Sequence, residues 1–176
     1  MADVKILIAG FGGQGILFSG KFLASKGLLE GKNVSWLPSY GPEMRGGTAN
    51  CSVTISDEPV SSPIIPNPDV LVVMNLPSLL QFEGTVAPGG KIFVDSSLIS
   101  EKVKRSDVSA FYIPASQMAV DNNLPTLANM IMTGKVMREV PYLSSGDFRS
   151  VLEKVISARH KALLELNLEA LELGAK

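Results

Sequence analysis

The sequence predicts an α/β fold: an open, mainly parallel sheet with helices on both faces, one antiparallel or edge strand and a long C-terminal helix. Three observations predict it. Apolar runs of strand length recur at Val4–Ala9, Asp69–Met74 and Lys91–Val94, and such runs suit strands covered on both faces. Segments with helical periodicity alternate with them, as a parallel sheet with crossover helices requires. A glycine loop, Gly10–Gly15, follows the first run directly. No internal repeat or low-complexity linker interrupts the 176 residues, so 1–176 reads as one domain, with 145–173 as a C-terminal helix available for association.

Val4–Ala9 is broken only by Lys5 and suits a central parallel strand. After the glycine loop, Ile16–Glu30 places Ile16, Leu17, Gly20, Leu23, Ala24, Gly27 and Leu28 on one helical stripe, and Gly31 is positioned to end that helix in the left-handed conformation. Asn33–Leu37 is the second strand, and Pro38 to Gly47 a long irregular loop. Ala49 to Ile55 alternates strictly, with Ala49, Cys51, Val53 and Ile55 on one face and Asn50, Ser52 and Thr54 on the other. Such a half-solvated pattern belongs to an antiparallel or edge position. A Pro-punctuated segment (Pro63, Pro66, Pro68) leads to the strand at Asp69–Met74, then a short helix near Ser78–Phe82, the Pro88-Gly89-Gly90 turn and the strand at Lys91–Val94. Ala110–Ile113 is a further strand, with helices around Ala115–Asn122 and Thr126–Arg138. Ser144 and Asp147 form an S-x-x-D capping box for the last helix, whose apolar residues Phe148, Val151, Leu152, Val155 and Ile156 repeat at helical spacing. Beyond Lys161 the spacing loosens into six leucines between Leu163 and Leu173, more than one narrow stripe needs, which points to self-association or docking to a partner subunit.

Composition excludes several functions. Sixteen Lys and Arg against 17 Asp and Glu give a net charge of −1, so there is no basic excess for nucleic acid. One cysteine, Cys51, and one histidine, His160, exclude an internal disulfide, a four-cysteine or two-cysteine two-histidine zinc site, and an iron–sulfur cluster held by this chain alone. No metal site is expected. No stretch approaches the roughly 18 apolar residues of a membrane span, and the N-terminus lacks the features of a signal peptide, so a cytoplasmic location is expected.

Gly10-Phe11-Gly12-Gly13-Gln14-Gly15 matches G-x-G-x-x-G between a strand and a helix. Glycines there permit a tight turn and close backbone approach, and the helix start offers free N–H groups to an anion. Dinucleotide binding also needs an acid at the end of the second strand for the ribose hydroxyls. That strand ends Trp36-Leu37-Pro38-Ser39, without one, and without an Arg for a 2′-phosphate. Three readings stand: a dinucleotide site without its ribose-binding acid, a turn that needs glycine only for packing, and an anion site for another ligand. In an open α/β sheet the crevice lies where strand order reverses, beside the first strand's carboxyl end, with Asn75 across it.

Ser39-Tyr40-Gly41-Pro42-Glu43-Met44-Arg45-Gly46-Gly47 puts large side chains between glycines at a strand's carboxyl end, where binding loops gather. A solvated turn with a weak Glu–Arg pair is the plain alternative. The GFGGQG loop, SYGPEMRGGTANCSV and SPIIPNPDVLVVMN together resemble the gamma subunit of 2-oxoacid:ferredoxin (acceptor) oxidoreductases over nearly the whole chain, most of all the 2-oxoglutarate branch. The resemblance implies a Rossmann-like domain in a hetero-oligomeric enzyme that decarboxylates 2-oxoglutarate oxidatively to succinyl-CoA. Pyruvate or another 2-oxoacid is the alternative within the family, and a stand-alone NAD(P)-dependent reductase the alternative outside it. Thiamine diphosphate, Mg2+ and the iron–sulfur clusters would belong to alpha, beta and delta-type (ferredoxin-like) partners, with ferredoxin or another acceptor reached through the complex. Gly10, Gly12, Gly13, Gln14 and Gly15 would shape an anion-binding or subunit-facing crevice, with coenzyme A as one candidate occupant. Ser39, Tyr40, Glu43, Arg45, Gly46 and Gly47 would form the adjoining substrate or subunit-interface loop. No catalytic residue is assigned to this chain.

Three further positions complete the reading. Cys51, on the apolar face of its strand, reads as an inert structural thiol rather than a nucleophile. His160, between Arg159 and Lys161, reads as solvated or at an interface. Asp95-Ser96-Ser97 ends a strand at the crevice edge of the sheet, where Asp95 is expected to cap a helix.

Overall fold

The computed structural model describes residues 3–40 and 48–176. Six strands form one sheet: β1 (Asp3–Phe11), β2 (Asn33–Tyr40), β3 (Thr48–Ser56), β4 (Val70–Val73), β5 (Lys91–Asp95) and β6 (Ser109–Ile113), in the order β2-β3-β1-β4-β5-β6. β1, β4, β5 and β6 are mutually parallel, and β3 is antiparallel to both of its neighbours, β1 and β2. The helices are α1 (Ile16–Leu29), α2 (Leu76–Phe82), α3 (Ala115–Asp121), α4 (Ala128–Glu139), α5 (Phe148–Val155) and α6 (Ala162–Ala175). None of them is long and apolar enough to cross a membrane.

Both sheet faces are covered, unequally. On one face Val4, Ile6 and Ile8 of β1, Cys51, Val53 and Ile55 of β3 and Phe93 of β5 pack against all the helices except α2. On the other, Leu7, Leu71, Val73, Ile92 and Val94 meet Leu79 of α2 with Val86 and Ile99. Each such fully buried aliphatic side chain contributes about 1.5–3 kcal/mol. α2 covers β4 and β1 but not β2 and β3. That is why β3 can alternate Asn50 and Ser52 with Cys51 and Val53: its second face is only half covered.

The antiparallel β3 is as expected, but it is internal, and β2 is the edge strand. β1 therefore has a parallel neighbour on one side only, rather than lying within a wholly parallel sheet. β2 has no parallel partner either. Two antiparallel steps nevertheless return it to the direction of β1, so Tyr40, Ala49 and Gly10 share one register row and the 41–47 segment starts and ends at the same sheet edge as the glycine loop.

Two local expectations change. Asp147, not Ser144, caps α5: its carboxylate accepts from the Ser150 N–H at 3.2 Å and the Ser150 hydroxyl at 2.6 Å, while the Ser144 hydroxyl turns back to the Pro141 carbonyl. The C-terminal helix is divided. Ile156 and Ser157 are extended, and a short 3-10 turn at Ala158–His160 precedes α6. Ser157 provides the break by bonding the ring Nδ1 of His160 at 2.8 Å, a local side-chain contact that competes with helix continuation. The divided segment folds back on its own domain, so α6 buries Asn167, Ala170, Leu171 and Gly174 and leaves Leu163 and Leu166 as its exposed leucines. Gly31 ends α1 as expected, with φ +75° and Lys32 N–H returning to the Gly27 carbonyl at 2.9 Å.

Candidate anion-binding crevice

β1 delivers the chain to the middle of the sheet, and α1 leaves over one face. Between them Gly13 (φ +94°) and Gly15 (φ +77°) take backbone conformations that disfavour other residues. Gly15 is the N-cap of α1 and has no side chain with which to cap it; the first turn contains no acid. The first N–H groups of a 14-residue helix are thus left to the groove between Phe11–Gly13, that first turn and Ala49, a space of about 330 Å3. Unpaired helix-start N–H groups and the positive end of the helix dipole favour an anion of phosphate size.

Gln14 is a clip. Its Oε1 accepts from the Phe11 N–H at 2.6 Å and its Nε2 donates to the Met74 carbonyl at 2.9 Å, tying the end of β1 to the end of β4. Its amide offers one acceptor and one donor at that reach. A Cβ on Gly10 would lie 2.6 Å from Gln14 Oε1 and 3.2 Å from Met74 Cβ, so glycine at 10 makes room for the clip. The strand-order reversal falls here, between β1 and β4, as expected. Asn75 follows Met74 and caps α2, accepting from the Ser78 N–H at 2.9 Å, and its buried Nδ2 has no partner among the described residues.

Behind the loop, Asn129 at the start of α4 donates from Nδ2 to the Gly15 carbonyl at 3.0 Å and to the Ser19 hydroxyl at 3.1 Å. A Cβ at Gly15 would sit 2.5 Å from that nitrogen, so the close approach demands glycine. Nothing local in the sequence marks Asn129, whose partner lies 114 residues away.

The geometry opposes a dinucleotide. β3 separates β2 from β1, which puts the end of β2 two strand spacings, about 9.5 Å, from the glycine loop. That end still carries no acid, and Ser39 there is exposed and pairs with Asn50. For Tyr40 the structure places the backbone alone; Glu43, Arg45, Gly46 and Gly47 lie outside the described residues. Asp95 is not the helix N-cap expected of it: no helix starts at Ser96 or Ser97, and Pro114 holds the N-cap position of α3. Its carboxylate instead ties a turn to the start of α3, accepting from the Ser97 N–H at 3.1 Å and from the Ser116 hydroxyl at 2.6 Å. A larger cavity of about 580 Å3 between Pro88–Lys91 and Val140–Tyr142 lies at the opposite end of the sheet, and its described side chains include no unpartnered buried polar atom.

Cys51 is fully buried under α1, with Sγ 3.5 Å from the Ile16 carbonyl, and burial pushes its thiol up to about 12 against smaller opposing contributions from Trp36 and Gly20. Compared with an ordinary thiol, that leaves about a thousandfold less thiolate at neutral pH. Native protein is therefore expected to react with a thiol reagent such as DTNB only as it unfolds, a rate read directly by absorbance. Labelling as fast as free cysteine would place Cys51 at an accessible site instead.

A mixed, doubly wound α/β domain whose glycine-loop helix has no side-chain cap, and whose second strand carries no ribose-binding acid among the described residues, stands apart from the dinucleotide enzymes. The family model for pyruvate ferredoxin/flavodoxin oxidoreductase matches residues 5–176, and the chain belongs to that family. Ketoisovalerate oxidoreductase subunit VorA of Methanothermobacter marburgensis is 40% identical over 174 residues, which cover 98% of this chain and 36% of VorA, so the chain spans about a third of that relative. The 2-oxoglutarate synthase subunit KorC of Methanocaldococcus jannaschii is 34% identical over 173 residues, covering 97% of this chain and 91% of KorC. Among solved structures, the 2-oxoglutarate:ferredoxin oxidoreductase of Magnetococcus marinus, with 2-oxoglutarate, coenzyme A and succinyl-CoA bound, matches with a TM-score of 0.87 at 26% identity, over 99% of this chain and 30% of that one. The keto/oxoacid ferredoxin oxidoreductase gamma subunit of Geobacter sulfurreducens shares the fold, with a TM-score of 0.82 at 24% identity over 98% and 96% of the two chains.

Proposed function

We propose that this chain is the gamma-type unit of a cytoplasmic 2-oxoacid:acceptor oxidoreductase, that its glycine-loop groove takes the phosphates of coenzyme A, and that the 2-oxoacid is 2-oxoglutarate. The carrying observation is the α1 N-terminus: a long helix with no side-chain cap and no acid in its first turn, opening on a groove of phosphate size. Gly13 and Gly15 let the backbone approach an anion, and Gln14 holds the end of β4 against the loop so that the N–H groups are fixed before the anion arrives. Coenzyme A supplies the thiol that carries away the acyl group, as 2-oxoglutarate and coenzyme A give succinyl-CoA, carbon dioxide, a proton and two electrons. This chain's residues do not fit the electron path, since its one cysteine is buried and protonated. Thiamine diphosphate, Mg2+ and the iron–sulfur clusters are therefore assigned to alpha, beta and delta-type partners. The loop from Ser39 and Tyr40 through Glu43 and Arg45 to Gly46 and Gly47 is assigned to the contact with them, because its ends lie at the crevice edge of the sheet. Leu163 and Leu166 extend the surface available for association.

One observation favours a second substrate. Identity to the ketoisovalerate subunit, 40%, exceeds that to the 2-oxoglutarate subunit, 34%. The complete complex, assayed by viologen reduction with each 2-oxoacid and coenzyme A, is expected to turn over 2-oxoglutarate with the higher kcat/KM. Preference for ketoisovalerate reassigns the substrate, and no coenzyme A-dependent reduction with any 2-oxoacid removes the proposal.

A further inference from the structure

The cavity of about 580 Å3 at the far end of the sheet is bounded by the amino ends of β1, β4 and β5 and by the turn that follows α4. Val4 lies six residues along β1 from Gly10, about 20 Å at strand rise, so this space is separate from the glycine-loop groove. Its volume is that of a small-molecule site. Val4, Val70, Pro88, Val140 and Tyr142 make the wall apolar, and Asp69 and Lys91 are the charged residues on it. These two adjoin at the start of β4 and β5, where the Lys91 N–H bonds the Asp69 carbonyl at 2.9 Å. Both are half-buried, and neither forms an ion pair with a described residue. Asp69 accepts the Lys5 N–H on Oδ2 at 2.9 Å; its Oδ1 has no partner among the described residues and is not closed off from solvent. The Lys91 ammonium spends one of its three donors on the Glu139 carbonyl at the end of α4 and keeps two. The nearest charges of opposite sign are engaged elsewhere: Lys5 with Asp3 at 4.0 Å, and Glu139 with Lys135 at 2.7 Å. Apolar surroundings strengthen the pull of each unmatched charge on a ligand charge.

One acid and one base side by side in an apolar wall match a zwitterion with an apolar side chain. We propose that this cavity binds an apolar α-amino acid of leucine or valine type, with its ammonium on Asp69, its carboxylate on Lys91 and its side chain among Val4, Val70, Val140 and Tyr142. The corresponding 2-oxoacid has the same carboxylate and side chain but an oxo group in place of the ammonium, so Asp69 gives the site a preference for the amino acid. Transamination interconverts the two, and the cavity thus reads the amino-acid side of that reaction. The proposal does not depend on the glycine-loop groove.

The test is calorimetric titration of the full chain with leucine, the 2-oxoacid of leucine, isoamylamine and alanine. Leucine is expected to saturate. The 2-oxoacid, which lacks the ammonium, isoamylamine, which lacks the carboxylate, and alanine, which lacks the branched chain, are each expected to bind at least tenfold more weakly. Asp69→Asn keeps an acceptor for the Lys5 N–H and removes the charge. Its melting temperature is expected to stay within about 2 °C of the parent while leucine affinity falls at least tenfold. A purely structural Asp69 gives the reverse, a lower melting temperature with leucine binding unchanged, and that overturns the proposal. If the variant fails to fold, or both melts lower and binds more weakly, the four ligands on the parent decide alone. No saturable leucine binding up to about 10 mM, or equal binding of leucine and any of the other three, overturns the proposal. Coenzyme A enters none of these titrations, so their failure leaves the proposed function standing, and failure of the viologen assay leaves the amino-acid site standing.

Discussion

Gly174→Val is expected to lower the melting temperature by about 10 °C, with the loss read by circular dichroism on the full chain. α4 and α6 cross antiparallel at two glycines. A Cβ at Gly174 would be driven into the Ile131 carbonyl oxygen, and one at Gly134 into the Leu171 carbonyl oxygen. The obstacle in each case is helix backbone, which cannot rotate aside as a side chain can, so the helices must separate and expose Met130, Ile131 and Leu171. Overpacking in a core costs roughly 1–3 kcal/mol when side chains can adjust, and the upper end applies here. For a chain of this length each kcal/mol shifts the melting temperature by about 2–4 °C. The gain in helix propensity on replacing glycine, up to about 1 kcal/mol, cannot offset it. Gly84→Ala, where an added Cβ meets nothing within 4 Å, is the control and should stay within about 0.5 kcal/mol of the parent. A Gly174→Val protein melting within 2 °C of the parent would show that the crossing is not a constraint. The same packing means that truncation after Arg159 tests folding rather than association, since it strips the cover from α4.

What the sequence made legible followed from local pattern. Val4–Ala9 and Asp69–Met74 were readable as buried strands because apolar runs of that length, set beside glycine and proline, suit strands covered on both faces, and Ala49–Ile55 as an antiparallel or edge strand because it alternates; of those two the structure makes it antiparallel. Which strand neighbours which is not a local property. Nothing in Asn33–Tyr40 says that β3 inserts between it and β1, although that insertion is what carries the end of β2 away from the glycine loop. At the crevice the same division holds. The glycines announced a tight turn, but Gln14, expected to face a ligand, bonds Phe11 and Met74, because an amide can pair with any backbone within reach. Asn129 carried no signal, since a lone asparagine in a helix is ordinary until its distant partner is in place. Ser157 is the reverse case: a helix breaker in plain view inside the 145–173 segment, masked by the apolar periodicity on either side of it.

Gly13→Asp is expected to raise the KM for coenzyme A about tenfold in the complete complex while leaving the KM for the 2-oxoacid unchanged. Gly13 suits the experiment because a Cβ there meets nothing within 4 Å, so the substitution adds only the strain of a positive φ, about 1–2 kcal/mol, and should leave assembly intact. Gly15→Asp would be a poor choice, since its side chain collides with Asn129 and confounds charge with folding. At position 13 the new carboxylate stands at the mouth of the groove before α1, where a helix start favours negative charge and the site then already holds one. Gly13→Asn carries the same backbone strain without the charge, and asparagine tolerates positive φ better than most residues, so the ratio of the two variants isolates the electrostatic part. A tenfold ratio corresponds to about 1.4 kcal/mol, within the range of a charge at a partly buried helix end. Because the groove is open to solvent, the ratio should shrink as salt is raised, which distinguishes repulsion from distortion of the loop. Equal KM values for the two variants at low salt would mean that no anion meets the first turn of α1, and the glycine loop would then serve only to bring α1 close to β3.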